Sequence, residues 1–171
     1  MERELLLLGL LRRQDMHGYQ LNEFIERDLT MCTDLKKSTA YFLLDKLVKD
    51  ELVSFQQTQE GARPPRRVYH LTEKGEAEFQ RLLRENLSVY DPVRFPNDIG
   101  LLFADALPAD ELLRLLQDQR ESLQLALAAI EAAPPHPGPL QWVIDHRRAH
   151  LQSELDWLTT IIARLATETA S

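Results

Sequence analysis

Apolar residues along the first fifty positions recur at the spacing of amphipathic helices. A leucine-rich run between charged residues predicts a first helix over about 3–13. A second helix is predicted to begin near Gly18. The side chains that it would turn toward a core are Tyr19, Leu21, Phe24, Ile25 and Leu29. After a short polar turn at 30–34, a third helix is predicted over about 37–50. Its apolar positions, spaced by three and four, are Ala40, Leu43, Leu44, Leu47 and Val48.

The residues after the third helix alternate in the manner of two β-strands. Positions 52–56 carry β-branched and aromatic side chains, and positions 66–71 alternate between polar and apolar. The residues at 58–65 contain glycine and two prolines, so we expect a β-hairpin with a basic, proline-stiffened tip. Thr72 is a good N-cap for a following helix, which would extend through Leu83.

Three helices, a hairpin and a closing helix, in this order, describe a winged helix-turn-helix over residues 1–86. The second and third helices would form the helix-turn-helix, and the hairpin would be the wing. The major groove of DNA admits one α-helix, which makes the third helix the candidate for entering it.

The second half of the chain shows helical signals alone. Two prolines mark a linker at about 87–96. A short helix is then predicted at 98–106, a longer one after Pro108, and a last one at 140–166. We therefore expect an all-α second domain over 97–171.

The last predicted helix is too apolar to stand alone. It would extend roughly 40 Å at 1.5 Å per residue. Its apolar side chains are spread widely around it: Trp142, Val143, Ile144, Leu151, Leu155, Leu158, Ile161, Ile162 and Leu165. A partner chain is the simplest cover for such a helix. The predicted fold is thus mainly α with a small β-hairpin wing, and the all-α domain would join two chains in a homodimer.

Charge is distributed unevenly between the two halves. The net charge of −7 argues at first against a nucleic-acid partner. Residues 1–86, however, carry 14 basic and 15 acidic side chains, whereas residues 87–171 carry 6 basic and 12 acidic ones. All five lysines fall within 36–74, together with the arginines of the hairpin. A local basic face is therefore available to phosphate groups, and the acidic half is expected to stay away from DNA.

Four short pieces of the chain stand out; in one-letter code they are LGLL at 8–11 with HGYQL at 17–21, STAY at 38–41 with Leu44, Leu47 and LV at 52–53, RVYHLT at 67–72 with Gly75, and ELDWL at 154–158. Taken in this order, they resemble the PadR family of bacterial transcriptional regulators. The resemblance implies a repressor that binds the two half-sites of a palindromic operator as a homodimer. It also implies a small aromatic effector that binds between domains or subunits and releases the DNA.

The sequence departs from the family pattern at both ends of the third helix. Lys36 stands where the family often has serine, so Asp34 or Ser38 is expected to cap the helix, which leaves its first residue open by one turn. The exit through Asp50 and Glu51 lacks the usual glycine, so we expect a less tight turn before the first strand of the hairpin.

The candidate DNA contacts come from the outer face of the third helix, from the wing and from two tyrosines. They are Tyr19, Lys36, Lys37, Ser38, Thr39, Tyr41, Phe42, Lys46, Arg63, Arg66 and Arg67. Lysines and arginines suit phosphate groups, and short hydroxyl side chains reach phosphates or base edges. Phe42 could touch a thymine methyl group or serve in packing. The resemblance implies that Tyr19 and Tyr41 touch the DNA backbone, although either could be a core residue, and Arg67 could support the hairpin.

Two sets of residues in the last helix have candidate roles. Trp142 and Trp157 offer flat apolar rings for stacking an aromatic effector, and packing in a subunit interface is the favoured alternative. His146, His150 and Glu154 follow one another at a spacing of four residues, which permits a metal site on one helix face. We favour a polar stripe there and expect no metal.

The sequence holds no motif of an enzyme. A glycine-rich phosphate loop, a nucleophile elbow and a zinc-protease motif are all missing, so we expect neither catalysis nor a cofactor. Cys32 is predicted to be an ordinary buried thiol. No segment suits a membrane span, and we expect a cytoplasmic protein. Two alternatives stay open: a winged-helix module that binds a protein partner, and a metal-binding protein built on His146 and His150.

Overall fold

The computed structural model describes residues 1–28, 35–58 and 66–169. The chain divides into two compact units, Met1–Pro92 and Val93–Ser171.

The described residues of the first unit form four helices and three strands. They are α1 (Glu2–Arg13), β1 (Met16–His17), α2 (Gly18–Asp28), α3 (Lys37–Lys49), β2 (Val53–Thr58), β3 (Arg66–Leu71) and α4 (Glu73–Ser88). This order confirms the predicted winged helix-turn-helix fold. The second strand of the hairpin has its predicted bounds, whereas the first begins one residue later and ends two residues later than predicted.

The sheet has one more strand than the sequence predicted. Its order is β1-β3-β2, and both pairings are antiparallel. Met16 lies opposite Tyr69 on one side of the central strand, and Phe55 lies opposite the same tyrosine on the other. The short strand β1 therefore ties the beginning of α2 to the wing.

A leucine-rich core fills the space between the helices and the sheet. Its buried members include Leu7, Leu8, Leu10, Leu11, Met16, Leu21, Leu35, Ala40, Leu44, Leu47, Val53, Tyr69 and Leu82. The predicted inward face of α3 is confirmed, with Leu43 and Val48 partly buried at its edges. The expectation that Tyr19 points to the core is wrong, since 46% of the residue is exposed. Leu29 and the side chain of Ile25 lie outside the described residues.

The N-cap of α3 acts through its backbone. Lys36 is the N-cap, with an extended backbone and no hydrogen bond from its side chain. Its carbonyl oxygen accepts a 2.9 Å hydrogen bond from the amide of Ala40. The expectation that Ser38 caps the helix is wrong, because Ser38 already lies inside the first turn. The alternative cap, Asp34, is outside the described residues.

The turn after α3 is tight despite the missing glycine. The amide of Leu52 donates to the carbonyl of Leu47 at 2.9 Å, and the amide of Glu51 donates to the carbonyl of Val48 at 3.0 Å. These two bonds form a Schellman motif, which places the residue after the helix in the left-handed region. Glu51 accordingly has φ of 61°. The expected loosening is wrong, because a non-glycine residue takes up this strained backbone instead.

The predicted cap of α4 is confirmed. The hydroxyl oxygen of Thr72 accepts a 2.9 Å hydrogen bond from the amide of Gly75. The same hydroxyl lies 2.8 Å from the carbonyl oxygen of Glu51 and 3.0 Å from that of Leu52. One side chain thus joins the start of α4 to the exit of α3.

The second unit consists of helices in the described residues. They are α5 (Asp98–Leu102), a 3₁₀ turn (Ala104–Ala106), α6 (Ala109–Glu131) and α7 (Pro139–Thr169). The single helix predicted at 98–106 is interrupted at Phe103, whose φ of −114° and ψ of 19° leave the helical region. Helices α6 and α7 pack around Leu116, Leu158 and Ile162. No helix in the described ranges combines the length and the apolar character that crossing a membrane requires.

Candidate nucleic-acid interface

Helix α3 presents an exposed face opposite its buried leucines. Lys37 and Ser38 are exposed in the first turn, and Thr39 is half-buried. One turn further on, Phe42 is 69% exposed, which is unusual for so large an apolar ring. Lys46 continues the same stripe. These side chains therefore lie together on the outer face of α3, as the helical spacing predicts.

The first turn of α3 is electropositive. Helix N-termini carry a partial positive charge and are normally stabilised by acidic side chains. The first turn of α3 has none, and Lys36 and Lys37 are exposed there instead. Lysines at this end destabilise the helix, and they concentrate positive charge where the free backbone amides can bind an anion.

An open cavity of about 550 Å³ lies between the start of α2, α3 and β3. Its lining residues are His17, Gly18, Tyr19, Tyr41, Asp45, Arg66, Arg67 and Tyr69. The cavity brings together four of the predicted DNA-contact residues: Tyr19, Tyr41, Arg66 and Arg67. The sequence predicted neither the cavity nor the presence of His17 and Asp45 in its lining.

Stacked rings and an arginine build one wall of the cavity. The rings of His17 and Tyr19 are 5.4 Å apart at their centroids and nearly parallel, with an angle of 18°. The guanidinium carbon of Arg66 lies 5.3 Å from the centroid of the Tyr19 ring. This cation–π contact holds the arginine at the surface between α2 and the wing. The exposure of Tyr19 is thus explained by its two neighbours.

The opposite wall depends on a glycine. A Cβ on Gly18 would lie 2.7 Å from the Cε1 atom of Tyr41. Only the missing side chain allows the Tyr41 ring to lie against the start of α2. Gly18 is the central residue of His-Gly-Tyr at 17–19, one of the pieces of sequence that resemble the family.

Arg67 contacts residues of its own domain and so supports the wing. Its guanidinium carbon lies 4.4 Å from the centroid of the Phe55 ring, and its Nη1 atom donates to Asp45 at 3.2 Å. The arginine therefore links β3 to β2 and α3. Arg63, the remaining wing candidate, lies outside the described residues.

Lys46 is held by an acidic residue of α1. Its Nζ atom donates to Oε1 of Glu4 at 2.6 Å. This hydrogen bond lowers the pKa of Glu4 below its ordinary value and raises the pKa of Lys46 above its own. Both shifts favour the charged forms, which these two groups already adopt at neutral pH. No sequence pattern predicts this pairing, since 42 positions separate the two residues.

The candidate residues of the second unit are not gathered into one site. Trp142 is 73% exposed and Trp157 is 41% exposed. Fifteen residues of one helix separate them by about 22 Å, so one small ligand bound to a single chain would contact only one of them. His150 lies beside Phe95, with ring centroids 6.0 Å apart. Within the described residues, no three side chains of metal-ligating type form a group that could hold an ion.

Comparison with known proteins agrees with this geometry. Residues 7–81 match the model of the transcriptional regulator PadR-like family. Over these residues the chain is similar to that family. Its members are transcriptional regulators and not enzymes. The matched region of this PadR-like chain runs from α1 into α4 and so covers the helix-turn-helix, the cavity and the wing.

Proteins similar to the PadR-like chain extend the match beyond this region. The negative transcriptional regulator PadR of Bacillus subtilis is 25% identical over 127 residues, which are 74% of this chain and 70% of that protein. The crystal structure of B. subtilis PadR in complex with operator DNA has a TM-score of 0.83 at 21% identity and covers 96% of this chain and 99% of the other. Its complex with p-coumaric acid has a TM-score of 0.77 at 22% identity, covering 95% and 94%. The two structures establish the shared fold over both units.

Proposed function

We propose that this PadR-like regulator is a repressor that binds operator DNA through the exposed face of α3, the aromatic cavity and the wing. The observation that carries the proposal is the position of Tyr19 and Arg66 beside the exposed stripe of α3, with α2, α3 and β3 meeting at one surface. B. subtilis PadR is named a negative regulator and has been crystallised with its operator. This function would place the protein in the cytoplasm, with the chromosome.

Each group of residues would take a different part of the DNA. Lys36 and Lys37 at the start of α3 would approach phosphates, since this end of the helix is already electropositive. Ser38, Thr39 and Phe42 lie along the helix face that would enter the major groove. The tyrosines and arginines of the cavity would hold the sugar–phosphate backbone beside the groove, which fixes the position of the helix without reading sequence.

A homodimer would place two such domains on one operator. The second unit leaves large apolar side chains exposed, and these are best covered by another copy of the same helices. They include Ile99, Leu102, Phe103, Leu125, Trp142 and Trp157. Two recognition helices would then reach half-sites about 34 Å apart or a multiple of that distance.

A small aromatic effector would release the protein from DNA. B. subtilis PadR has been crystallised with p-coumaric acid. Trp142 or Trp157 of this chain could stack on such a ring. Release requires that the effector bind the free protein more tightly than the DNA-bound protein, because an equal binder shifts no equilibrium.

Selection of genomic fragments by the purified protein tests DNA binding. The bound fragments should share a palindrome, and affinity for it should fall steeply as salt rises, in proportion to the number of phosphate contacts. Absence of binding to every fragment at low salt would overturn the proposal and favour a protein partner for the winged domain. Sedimentation tests the homodimer, which a stable 19.8 kDa species at micromolar concentration would contradict.

A further inference from the structure

The pair formed by Glu4 and Lys46 lies at the edge of the DNA-facing stripe. Lys46 follows Thr39 and Phe42 at helical spacing on α3, so its ammonium group borders the same surface. A second cavity, of about 420 Å³, is lined by the first turn of α1 together with Thr39, Phe42 and Leu43. The first turn of α1 thus lies directly beside the helix face that would enter the groove, and it carries the carboxylates of Glu2 and Glu4 together with Arg3 and the N-terminal ammonium group, which lies 3.6 Å from Glu4.

The ion pair contributes little to the stability of the folded protein. Half of the Lys46 side chain is exposed, and 23% of the Glu4 side chain is exposed. Ion pairs with this much access to water contribute little to stability, because each partner is almost as well solvated alone. Glu4 nevertheless binds the ammonium group of Lys46 on the exposed face of α3, with 2.6 Å between Oε1 and Nζ. The ammonium group keeps its charge, but the carboxylate beside it offsets the attraction that a phosphate would feel.

We propose that Glu4 limits the DNA affinity of this regulator by holding the Lys46 ammonium group away from the phosphate backbone. The proposal rests on the DNA-binding function proposed above. In the free protein Glu4 takes the place that a phosphate oxygen would occupy. The recognition helix therefore makes one phosphate contact fewer than its lysines allow.

The consequence for the regulator is weaker binding to all DNA. Phosphate contacts carry no sequence information, so withholding one lowers affinity for operator and non-operator fragments alike. Occupancy of the operator then depends more strongly on base contacts and on the simultaneous use of both half-sites. An effector also needs less differential affinity to release a protein that is held less tightly.

Salt titration of DNA binding by the Glu4→Gln variant tests the proposal. Fluorescence anisotropy with the selected operator fragment would be measured between about 50 and 300 mM salt. Freeing Lys46 should add one phosphate contact, which steepens the slope of log K against log salt by about 0.9 and raises affinity severalfold at 100 mM salt. Operator and non-operator fragments should gain by similar factors.

Two controls separate this mechanism from a general change in charge. Glu2→Gln removes a carboxylate from the same turn and the same cavity but leaves the pair intact, so its salt slope should match the wild type. In a Lys46→Gln background, Glu4→Gln should have no more effect than Glu2→Gln. Circular dichroism would show that each variant retains the helical content and melting temperature of the parent.

The outcomes distinguish the two proposals. If the wild type binds DNA and Glu4→Gln binds with the slope of Glu2→Gln, the role of Glu4 is overturned while DNA binding stands. A weaker complex with Glu4→Gln would mean that Glu4 orients Lys46 toward the DNA, which also overturns the proposal. If the wild type binds no DNA at low salt, both proposals fail.

Discussion

The backbone carbonyl of Leu52 occupies the space into which a side chain on Gly75 would project. The carbonyl belongs to the turn after α3, and the glycine lies in the first turn of α4. A Cβ at this position would also meet the Leu71 side chain at 2.7 Å. The close approach allows Thr72 to bond both segments. The packing of the turn after α3 against the start of α4 therefore requires a residue without a side chain at position 75.

Gly75→Ala should therefore destabilise the protein although alanine is the better helix former. Overpacking against backbone, at about 1–3 kcal/mol, outweighs the propensity gain of about 1 kcal/mol, and we expect a net loss of up to about 2 kcal/mol in urea unfolding. Gly100→Ala is the matched control, since nothing lies within 4 Å of its Cβ. That variant should be neutral or more stable. An equal response of the two variants would show that the contact with Leu52 is unimportant.

Glu51→Gly should stabilise the turn after α3. Glu51 holds φ of 61°, a region that costs residues with a Cβ about 1 kcal/mol or more. Part of this gain is offset by the greater freedom of glycine in the unfolded chain, which leaves about 0.5–1 kcal/mol. The ion pair lost with Lys74, at 3.4 Å, is highly exposed and adds little.

The neighbouring residue provides the control for this substitution. Asp50 has φ of −81°, which any residue adopts. Asp50→Gly should therefore lose up to about 1 kcal/mol through chain entropy alone. Chemical unfolding of both variants checks the difference in sign. Destabilisation by Glu51→Gly would mean that its backbone carries no strain.

The helices and the wing could be predicted because each has a local signal. Periods of three to four residues mark α3, and alternation marks β3, whose bounds were predicted correctly. Strand β1 could not be predicted, because two residues are too few to show alternation. Its pairing with β3 depends on contacts between residues more than fifty positions apart.

The candidate site was predictable in its residue types but not in its contacts. The exposed face of α3 follows from helical spacing, and Phe42 is exposed where the pattern placed it. The Glu4–Lys46 pair joins two helices that are distant in sequence, and no spacing rule connects them. Likewise, Gly18 belongs to one of the pieces that resemble the family, but only the fold shows that the Tyr41 ring packs against it.

Acid should weaken the packing of α1 against α4 through Glu76. The Nε atom of Arg12 lies 2.9 Å from both carboxylate oxygens of Glu76. This bond lowers the pKa of Glu76 below its ordinary value of 4.5. A lowered pKa in the folded state stabilises the protein above about pH 4.5, and that contribution is lost as the pH falls through the folded pKa. The effect should be small, because both side chains are well exposed to water.

Melting temperatures at pH 6 and pH 3 check this expectation. Glu76→Gln cannot titrate, so its melting temperature should fall less between the two pH values than that of the wild type. Arg12→Gln removes the partner and should reduce the fall in the same way, and the double variant should add nothing further. If the three variants keep the full wild-type dependence, the pair does not contribute to acid sensitivity.

Phe42 and Leu44 lie two residues apart on α3 but on opposite faces. Leu44 is 1% exposed, whereas Phe42 is 69% exposed. Leu44→Ala should cost about 2–5 kcal/mol of stability, because it leaves a cavity in the core. Phe42→Ala should change stability by less than about 0.5 kcal/mol, as expected for a surface substitution.

The DNA affinity of Phe42→Ala then reports on the groove-facing role of the ring. We expect weaker binding to the operator with an unchanged salt slope, because an apolar contact releases no counterions. Affinity for non-operator fragments should stay the same, since they lack the matching base contact. Equal losses on both kinds of DNA would show that the ring supports the helix rather than reading the groove. A large fall in melting temperature would place Phe42 in packing and contradict its exposure.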